Sequence, residues 1–398
     1  MLRQPSKYTV IIPTRERPDT LRYCLRTLTA QKYDNFEIIV SDNNSLDDTA
    51  DVVHACRDSR VRYLNTGRRL SMSHNWEFAL GHVTDGWVGF LGDDDGLLPG
   101  ALARLDEALS RFPCDAVSAA YCTYAWPQSG WTSDANLGVP LGNSIRYVQS
   151  RPALSAAMEG RTPYQALPWL YHGGFAQITT INRARAADGS FFRSQVPDLY
   201  SAIALACVTQ RYLRLGFPLA INGASRHSTG SSYLASKDKG GPREQFLAEP
   251  NIPFHSRLIA APSLQILLYE SYLQSEFIHH DALHLSLNRQ LALAYAGASI
   301  ALRRDVLASC QAIATQNGTE FSPTSVEALS AVLEFNARSL RARGQSIARS
   351  VLRGADRAGK NVAEAAERAD AILRDARSRG LSLTACKNIG DWLYHRFR

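Results

Sequence analysis

Short apolar runs alternate with helical patterns through the first two hundred residues, and this rhythm restricts the fold more than any single motif does. Tyr8-Thr-Val-Ile-Ile-Pro13 reads as a strand stopped by proline, Asp19 as the cap of a helix over 20–30, and Phe36-Glu-Ile-Ile-Val-Ser41 as a second strand. Ser45-Leu-Asp-Asp48 has capping-box spacing, with Asp in place of the usual Glu, and opens a helix to about 56. Further strands are expected at 61–65, 87–91 and 116–121, with helices at 73–81 and 101–110. Repeated β-α units imply an α/β fold, a mostly parallel sheet with helices on both faces.

Residues 125–175 break the rhythm. They are rich in Pro, Gly, Trp and Tyr, with turns at Pro127-Gln-Ser-Gly130 and Gly138-Val-Pro140. A long irregular insertion in a compact fold is usually a lid or a substrate wall. Strand character returns at 177–182, and a helix over 197–210 carries Asp198 in its first turn. From about 256 the pattern is helical to the end. The expected organisation is an α/β domain over 1–250, interrupted at 125–175, and a helical domain over 256–398.

With 398 residues, 45% of them hydrophobic, the chain has material for a large core and about two to three domains. Seven scattered cysteines, at 24, 56, 114, 122, 207, 310 and 386, contain no Cys-X-X-Cys pair. That is the usage of reduced cysteines in a cytoplasmic protein rather than of a disulfide frame or zinc site. Residues 1–7 are polar and do not form a signal peptide. No apolar run reaches the roughly 18 residues of a membrane-spanning helix. The expected location is cytoplasmic, with peripheral attachment at the inner face of the plasma membrane left open. The net charge of +7 is concentrated at one end: residues 336–398 hold 14 Lys or Arg against 6 Asp or Glu, and the rest hold 30 against 31. Any argument about an anionic partner therefore belongs to the tail.

Phe90-Leu-Gly-Asp-Asp-Asp-Gly-Leu-Leu-Pro99 sets three carboxylates, Asp93, Asp94 and Asp95, directly after an apolar strand. In open α/β sheets ligands bind at that edge. A hard divalent ion such as Mg2+ or Mn2+ takes oxygen ligands, typically one or two carboxylates with substrate phosphates completing the shell. The competing reading is a solvated acidic turn cornered by Asp95-Gly96. The first β-α turn, Pro13-Thr-Arg-Glu-Arg-Pro18, lacks the Gly-X-Gly-X-X-Gly of a dinucleotide site. No P-loop sequence occurs either, so NAD and P-loop ATPase chemistry are disfavoured.

Taken together, these segments resemble family 2 glycosyltransferases with the GT-A fold. The matching pieces are Val10-Ile-Ile-Pro-Thr-Arg15, Ile38-Ile-Val-Ser-Asp-Asn-Asn-Ser-Leu-Asp-Asp-Thr49, Ser71-Met-Ser-His-Asn-Trp76, the acidic run, Pro197-Asp198 and Ser225-Arg-His-Ser-Thr-Gly-Ser-Ser232. They span residues 8–235 in the family's order. The resemblance implies a Rossmann-like GT-A sheet and inverting transfer of a sugar from a nucleotide-sugar donor to a glycan or lipid-linked glycan acceptor. Bacterial surface polysaccharide synthesis is the implied setting. It further implies that Pro13, Thr14, Arg15 and Arg17 line the nucleotide pocket, and that Asp42 contacts the base or ribose. Asn75 and Asp93 join the donor-binding set. Asp198 is the implied base, and His227 an ion or diphosphate contact.

Two positions depart from the family's pattern. His74 stands where Arg is common, and Gly92 stands at the first Asp of the usual Leu-Asp-X-Asp-Asp-X-Leu-X-Pro form. Aligned from Pro99 the metal ligand is Asp94 with Asp93 near the ribose, whereas a literal Asp-X-Asp reading pairs Asp93 with Asp95. Residues 125–175 become the acceptor side.

Each assignment has a plainer reading beside it. Asp42 also suits an Asx turn, Asp198 a helix N-terminal carboxylate, and Arg17 and His227 ordinary surface or loop positions. His279, His280 and His284 read more simply as helix surface than as a metal site. For 336–398 the alternatives are a solvated basic face, or contact with an anionic membrane aided by Trp392, Leu393, Tyr394 and Phe397. Nucleic-acid binding is unlikely on the absence of a recognised module, and the helical region is also where oligomerisation would lie. Alternative activities are a catalytically silent GT-A module acting as an interaction subunit, and a sugar-nucleotide nucleotidyltransferase.

Overall fold

The computed structural model describes residues 4–127, 129, 135–226, 249–279, 281–345 and 349–379. The amino-terminal elements run β1 (Tyr8–Thr14), α1 (Pro18–Thr29), β2 (Phe36–Asp42), α2 (Thr49–His54), β3 (Val61–Asn65), α3 (Met72–Leu80), β4 (Trp87–Phe90), β5 (Gly96–Leu97) and α4 (Ala101–Arg111). Next come β6 (Ala116–Ala125), β7 (Asn136–Pro140), β8 (Ile145–Gln149), α5 (Ser150–Met158), β9 (Phe175–Gln177), α6 (Ile178–Arg183), α7 (Pro197–Val208) and β10 (Arg211–Ala224). The remainder is α8 (Leu264–Gln274), α9 (Leu287–Gly297), α10 (Arg303–Gln316), α11 (Val326–Gln345), β11 (Arg349–Arg353), α12 (Ala355–Ala358) and α13 (Val362–Ser378).

All these strands share one sheet, whose main path is β11-β7-β6-β9-β4-β1-β2-β3. The segment β4-β1-β2-β3 is parallel throughout, with Ile11 in register with both Ile39 and Phe90. Short β9 joins β4 to β6 by antiparallel pairing, and long β10 lies parallel to β6 while also pairing with β5 and β8. The α/β class with a mostly parallel sheet is as the alternation implies.

Side chains alternate across the strands and so feed two cores. Val10 and Ile12 of β1 pack with Leu21, Leu25 and Leu28 of α1 and Leu105 of α4 on one face. Ile11 and Ile39 pack with Trp76 of α3 and Tyr200 of α7 on the other. A third cluster joins α5 and α7 to α8, α9 and α10, with Trp169 and Leu199 among its members.

Five local expectations differ from the structure. Asp19 lies inside the first turn of α1, whose N-cap is Arg17, because Pro18 already takes the first helical position. The helix after β2 begins at Thr49 rather than at Ser45. Ser45 Oγ accepts instead from the Glu16 N–H (2.8 Å), and Asp47 Oδ1 accepts from the Thr49 N–H, so the capping spacing is used for a loop-to-loop tie. Strand character ends at Gln177, and 178–183 is helical. Its β-branched residues favour a strand locally, but Ile178 and Ile181, three apart, both fit one buried helical face. The carboxyl-terminal region is not helical to its end either. β11 extends the sheet beside β7, and α13 buries Val362, Ala366, Ala369 and Leu373 against Tyr124, Leu137 and Ile221. Residues 125–175 likewise contain β7, β8 and α5, so the turn-rich composition marks connections between regular elements.

Candidate active site

The carboxyl ends of β1, β2 and β4 open onto a cleft of about 430 Å3. Pro13, Thr14, Arg15 and Arg17, which follow or end β1, line one side, and Asn75 of α3 lies beside them. The acidic loop after β4 forms the floor. Asp198, in the first turn of α7, lines the same cleft with Tyr164, Trp169, Tyr171 and His172.

Each carboxylate of the acidic loop has its own company. Asp93 accepts from Thr14 Oγ1 (2.8 Å) and from Arg17 Nη1 (3.0 Å). Asp94 accepts from the hydroxyl and the backbone N–H of Ser225 (2.7 and 3.3 Å). Asp95 takes the Gly92 N–H (2.8 Å), the Gly223 N–H (2.7 Å) and the His172 ring at Nε2 (2.9 Å). The pairing of β5 with β10 is what brings Gly223 and Ser225 over the loop. A Cβ on Gly223 would lie 1.9 Å from the Asp94 carbonyl oxygen, so only glycine permits this approach. Gly92 is equally confined: a Cβ there would meet Asp95 Oδ2 and the Tyr171 hydroxyl at 2.7 Å. A side chain at the position where the family's pattern has Asp would have to displace the Asp95 carboxylate and the Tyr171 hydroxyl.

Burial shapes the electrostatics. Asp93, Asp94 and Asp95 are at most 6% exposed. Burial, then the charges of Asp95 and Asp93, push the Asp94 carboxyl up to about 6, against the pull of Arg17 and Ser225. Burial works against the charge of Arg17, but Asp93 and Asp94 outweigh it and raise its pKa. Asp198 is also raised by burial, opposed by a hydrogen bond from the Tyr164 hydroxyl (2.9 Å) and by the charge of His172. A carboxylate so raised is a better proton acceptor near neutral pH than an ordinary Asp.

Among the described residues no three His, Cys, Asp or Glu side chains form a ready metal cage. The donor chemistry nevertheless suits a hard cation. Three adjacent carboxylates are buried together with Arg17 paired to Asp93, and the charges of Asp95 and Asp93 add to burial in raising the Asp94 pKa.

Of the residues singled out from the sequence, Pro13, Thr14, Arg15, Arg17, Asn75, Asp93, Asp94, Asp95 and Asp198 all meet at this cleft. Asp42 does not line it. Its oxygens accept from the Ser45 N–H (2.9 Å), three residues on in its own loop, and from the Tyr63 hydroxyl (2.6 Å), and neighbouring Asn43 reaches the cleft instead. Asn75 is tied to Ser41 (2.7 Å), while His74 is exposed and bonds Ser71 at its helix start. His227 and His280 lie outside the described residues. Sequence reasoning missed His172, Tyr164, Trp169 and Glu249, the last of which ion-pairs with Arg15. The one available signal was the Trp169-Leu-Tyr-His-Gly-Gly174 turn, where aromatic residues meet paired glycines.

Residues 9–156 match the family model described as glycosyl transferase family 2. A Campylobacter jejuni protein named GalNAc(5)-diNAcBac-PP-undecaprenol beta-1,3-glucosyltransferase is 39% identical over 102 residues, 25% of this chain and 33% of that protein. The chain thus spans about a third of the length of the curated relatives it matches. Among solved structures, S. aureus TarS 1-349 in complex with UDP-GlcNAc overlaps 86% of this chain and 80% of its own, at 15% identity and a TM-score of 0.45. The mannosyltransferase PcManGT from Pyrobaculum calidifontis, in complex with GDP-Man and Mn2+, overlaps 85% and 88%, at 16% identity and a TM-score of 0.40. Residues 9–156 are thus a domain of the glycosyl transferase family 2 type within this chain.

Proposed function

We propose that this protein transfers a sugar from a nucleotide-sugar donor to a glycan or lipid-linked glycan, with inversion at the anomeric carbon, in the synthesis of a bacterial surface polysaccharide. The observation that carries this reading is the convergence of two differently equipped carboxylate groups on one cleft: Asp93 to Asp95 beside Arg17, and a half-buried Asp198 on the same lining. An acceptor hydroxyl must lose its proton as it attacks, and Asp198 takes that proton. The nucleotide lies against Pro13, Thr14 and Arg15. Arg17, held by Asp93, supplies positive charge for the diphosphate.

Asp94 is the residue that holds a divalent ion, Mn2+ or Mg2+. Asp95 already accepts from three donors and positions the loop. When bound, the ion neutralises charge on the departing diphosphate. The acceptor class follows the name of the Campylobacter relative, which specifies an undecaprenol-linked glycan. Peripheral contact with an anionic membrane through the basic tail is consistent with such an acceptor. No helix among the described residues is long and apolar enough to cross a membrane.

Incubation of the full chain with Mn2+ and a panel of nucleotide sugars, UDP-glucose, UDP-GlcNAc and GDP-mannose among them, tests the reading. Release of nucleoside diphosphate from at least one donor is expected. A chain that neither binds nor turns over any donor is not a transferase.

A further inference from the structure

Trp169 and His172 each carry a polar atom that the proposed chemistry has not used. Trp169 Nε1 and His172 Nδ1 are buried and have no hydrogen-bond partner among the described residues. An unpaired buried donor or acceptor costs about 1–3 kcal/mol, so two on one wall of a cleft call for a partner that binds there. Both residues line the 430 Å3 cleft, and their rings are 5.4 Å apart.

The backbone that presents them is tightly determined. His172 has φ +46°, in the left-handed region that a non-glycine residue occupies only under constraint. A Cβ on Gly174 would lie 1.9 Å from the Trp169 carbonyl oxygen, so the turn closes on itself at that glycine. The Gly174 N–H donates to the Tyr171 carbonyl (2.9 Å). Tyr171 packs on the imidazole at 3.8 Å between ring centroids, with Tyr121 at 5.2 Å. Such strain at a ligand-facing turn is a mark of pre-organisation.

Hydrogen bonding fixes what the free nitrogen offers. Asp95 already accepts from the backbone N–H groups of Gly92 and Gly223, so it meets the imidazole as an acceptor too, and the ring proton sits on Nε2. Nδ1 is left facing the cleft, an acceptor in the neutral ring and a donor in the imidazolium. A sugar hydroxyl serves it in either form, whereas a phosphate oxygen serves only the second. Trp169 Nε1–H is a donor only. A sugar hydroxyl both donates and accepts, and sugar rings offer several side by side.

Location agrees with chemistry. A transferred sugar has to lie between the diphosphate end of the cleft and the base. His172 bonds Asp95 on one side, and its charge is felt by Asp198 on the other. We propose that Trp169 and His172 form the subsite for the transferred sugar, with His172 Nδ1 hydrogen-bonding one sugar hydroxyl and Trp169 Nε1–H donating to another or to the same one. This rests on the nucleotide-sugar reading above and adds to it the residues that read the sugar rather than the nucleotide.

Titration calorimetry with Mn2+ on the full chain separates the two. The probes are the panel sugar nucleotide that binds tightest and its own nucleoside diphosphate. His172→Gln keeps a polar group near Nε2 for Asp95 but loses Nδ1. It should bind the sugar nucleotide about tenfold or more weakly while holding the nucleoside diphosphate within about twofold. Trp169→Phe, which removes the indole N–H, should show the same split and carries the test should His172→Gln not fold, as judged by thermal unfolding. Sugar-nucleotide binding at the wild-type level in the folded variants, or equal loss of both probes, overturns the subsite. A wild-type chain that binds neither probe overturns the functional reading itself, and the subsite with it.

Discussion

At the scale of single residues, Asp198 and Gly92 make the sharpest demands. Asp198→Asn preserves the shape of the cleft and removes the proton acceptor. Transfer should fall by about 10²–10⁴-fold, with donor binding by calorimetry retained; transfer at the wild-type rate would remove Asp198 from the reaction. The pH dependence follows from the same group. A base works deprotonated, and burial raises the pKa of Asp198, so kcat/KM should fall as pH drops through a value above the ordinary Asp range. The Tyr164 hydroxyl favours the ionised form. Tyr164→Phe should therefore raise that pKa further and move the acid limb of the profile toward higher pH; an unmoved or lowered limb would reject this coupling. Gly92 is a packing problem rather than a chemical one. Gly92→Ala puts a methyl carbon 2.7 Å from Asp95 Oδ2 and Tyr171 OH, and overpacking of this kind costs about 1–3 kcal/mol, readable as a lower thermal midpoint. The three aspartates were conspicuous in the sequence, but their division of labour was not. Whether an oxygen faces Arg17, Ser225 or His172 depends on residues 76 to 131 positions away, which no local pattern encodes.

At the scale of elements, β10 and α13 do most to build what the sequence left unassigned. β10 threads parallel to β6 and turns its end over the acidic loop, so that Gly223 and Ser225 cap Asp95 and Asp94. The strands β1, β2 and β4 were legible because each is a short apolar run bounded by turn residues. Residues 178–183 were misread because β-branched side chains vote for a strand, while burial of Ile178 and Ile181 favours a helix, and tertiary packing outweighs propensity. The role of α13 was hidden by its charge. Its four acidic and three basic side chains, inside a stretch that is basic as a whole, suggest a solvated helix, yet Arg374 and Arg377 lie on its exposed side and Val362, Ala366, Ala369 and Leu373 fill a core shared with β6, β7 and β10. Leu373 is 3% exposed. Leu373→Ala should cost about 2–5 kcal/mol in chemical denaturation, against near neutrality if the helix were only a surface appendage.

At the scale of the whole molecule, the packing of α13 decides how membrane contact must be tested. Removing everything from 336 onward would strip α13 from the sheet and confuse unfolding with loss of binding. Deletion of 380–398 alone spares that core. It should reduce co-sedimentation with anionic liposomes relative to the full chain, by about 1 kcal/mol for each basic residue that had engaged the surface. Equal sedimentation of the two would place the contact elsewhere or nowhere. The sequence by itself determined the α/β class, the order of the amino-terminal strands and helices, and the residue types of a phosphate- and cation-handling edge. These are carried by local periodicity and by motifs a few residues long, which need no knowledge of distant partners. Only the tertiary structure decided that Asp42 turns into its own loop, that Gly92 sits against the Asp95 carboxylate and the Tyr171 hydroxyl, and that Trp169 and His172 stand on the cleft with unpaired nitrogens. Those are facts about which distant groups share a volume of a few ångströms. Burial and hydrogen-bond geometry fix them once the chain has closed on itself.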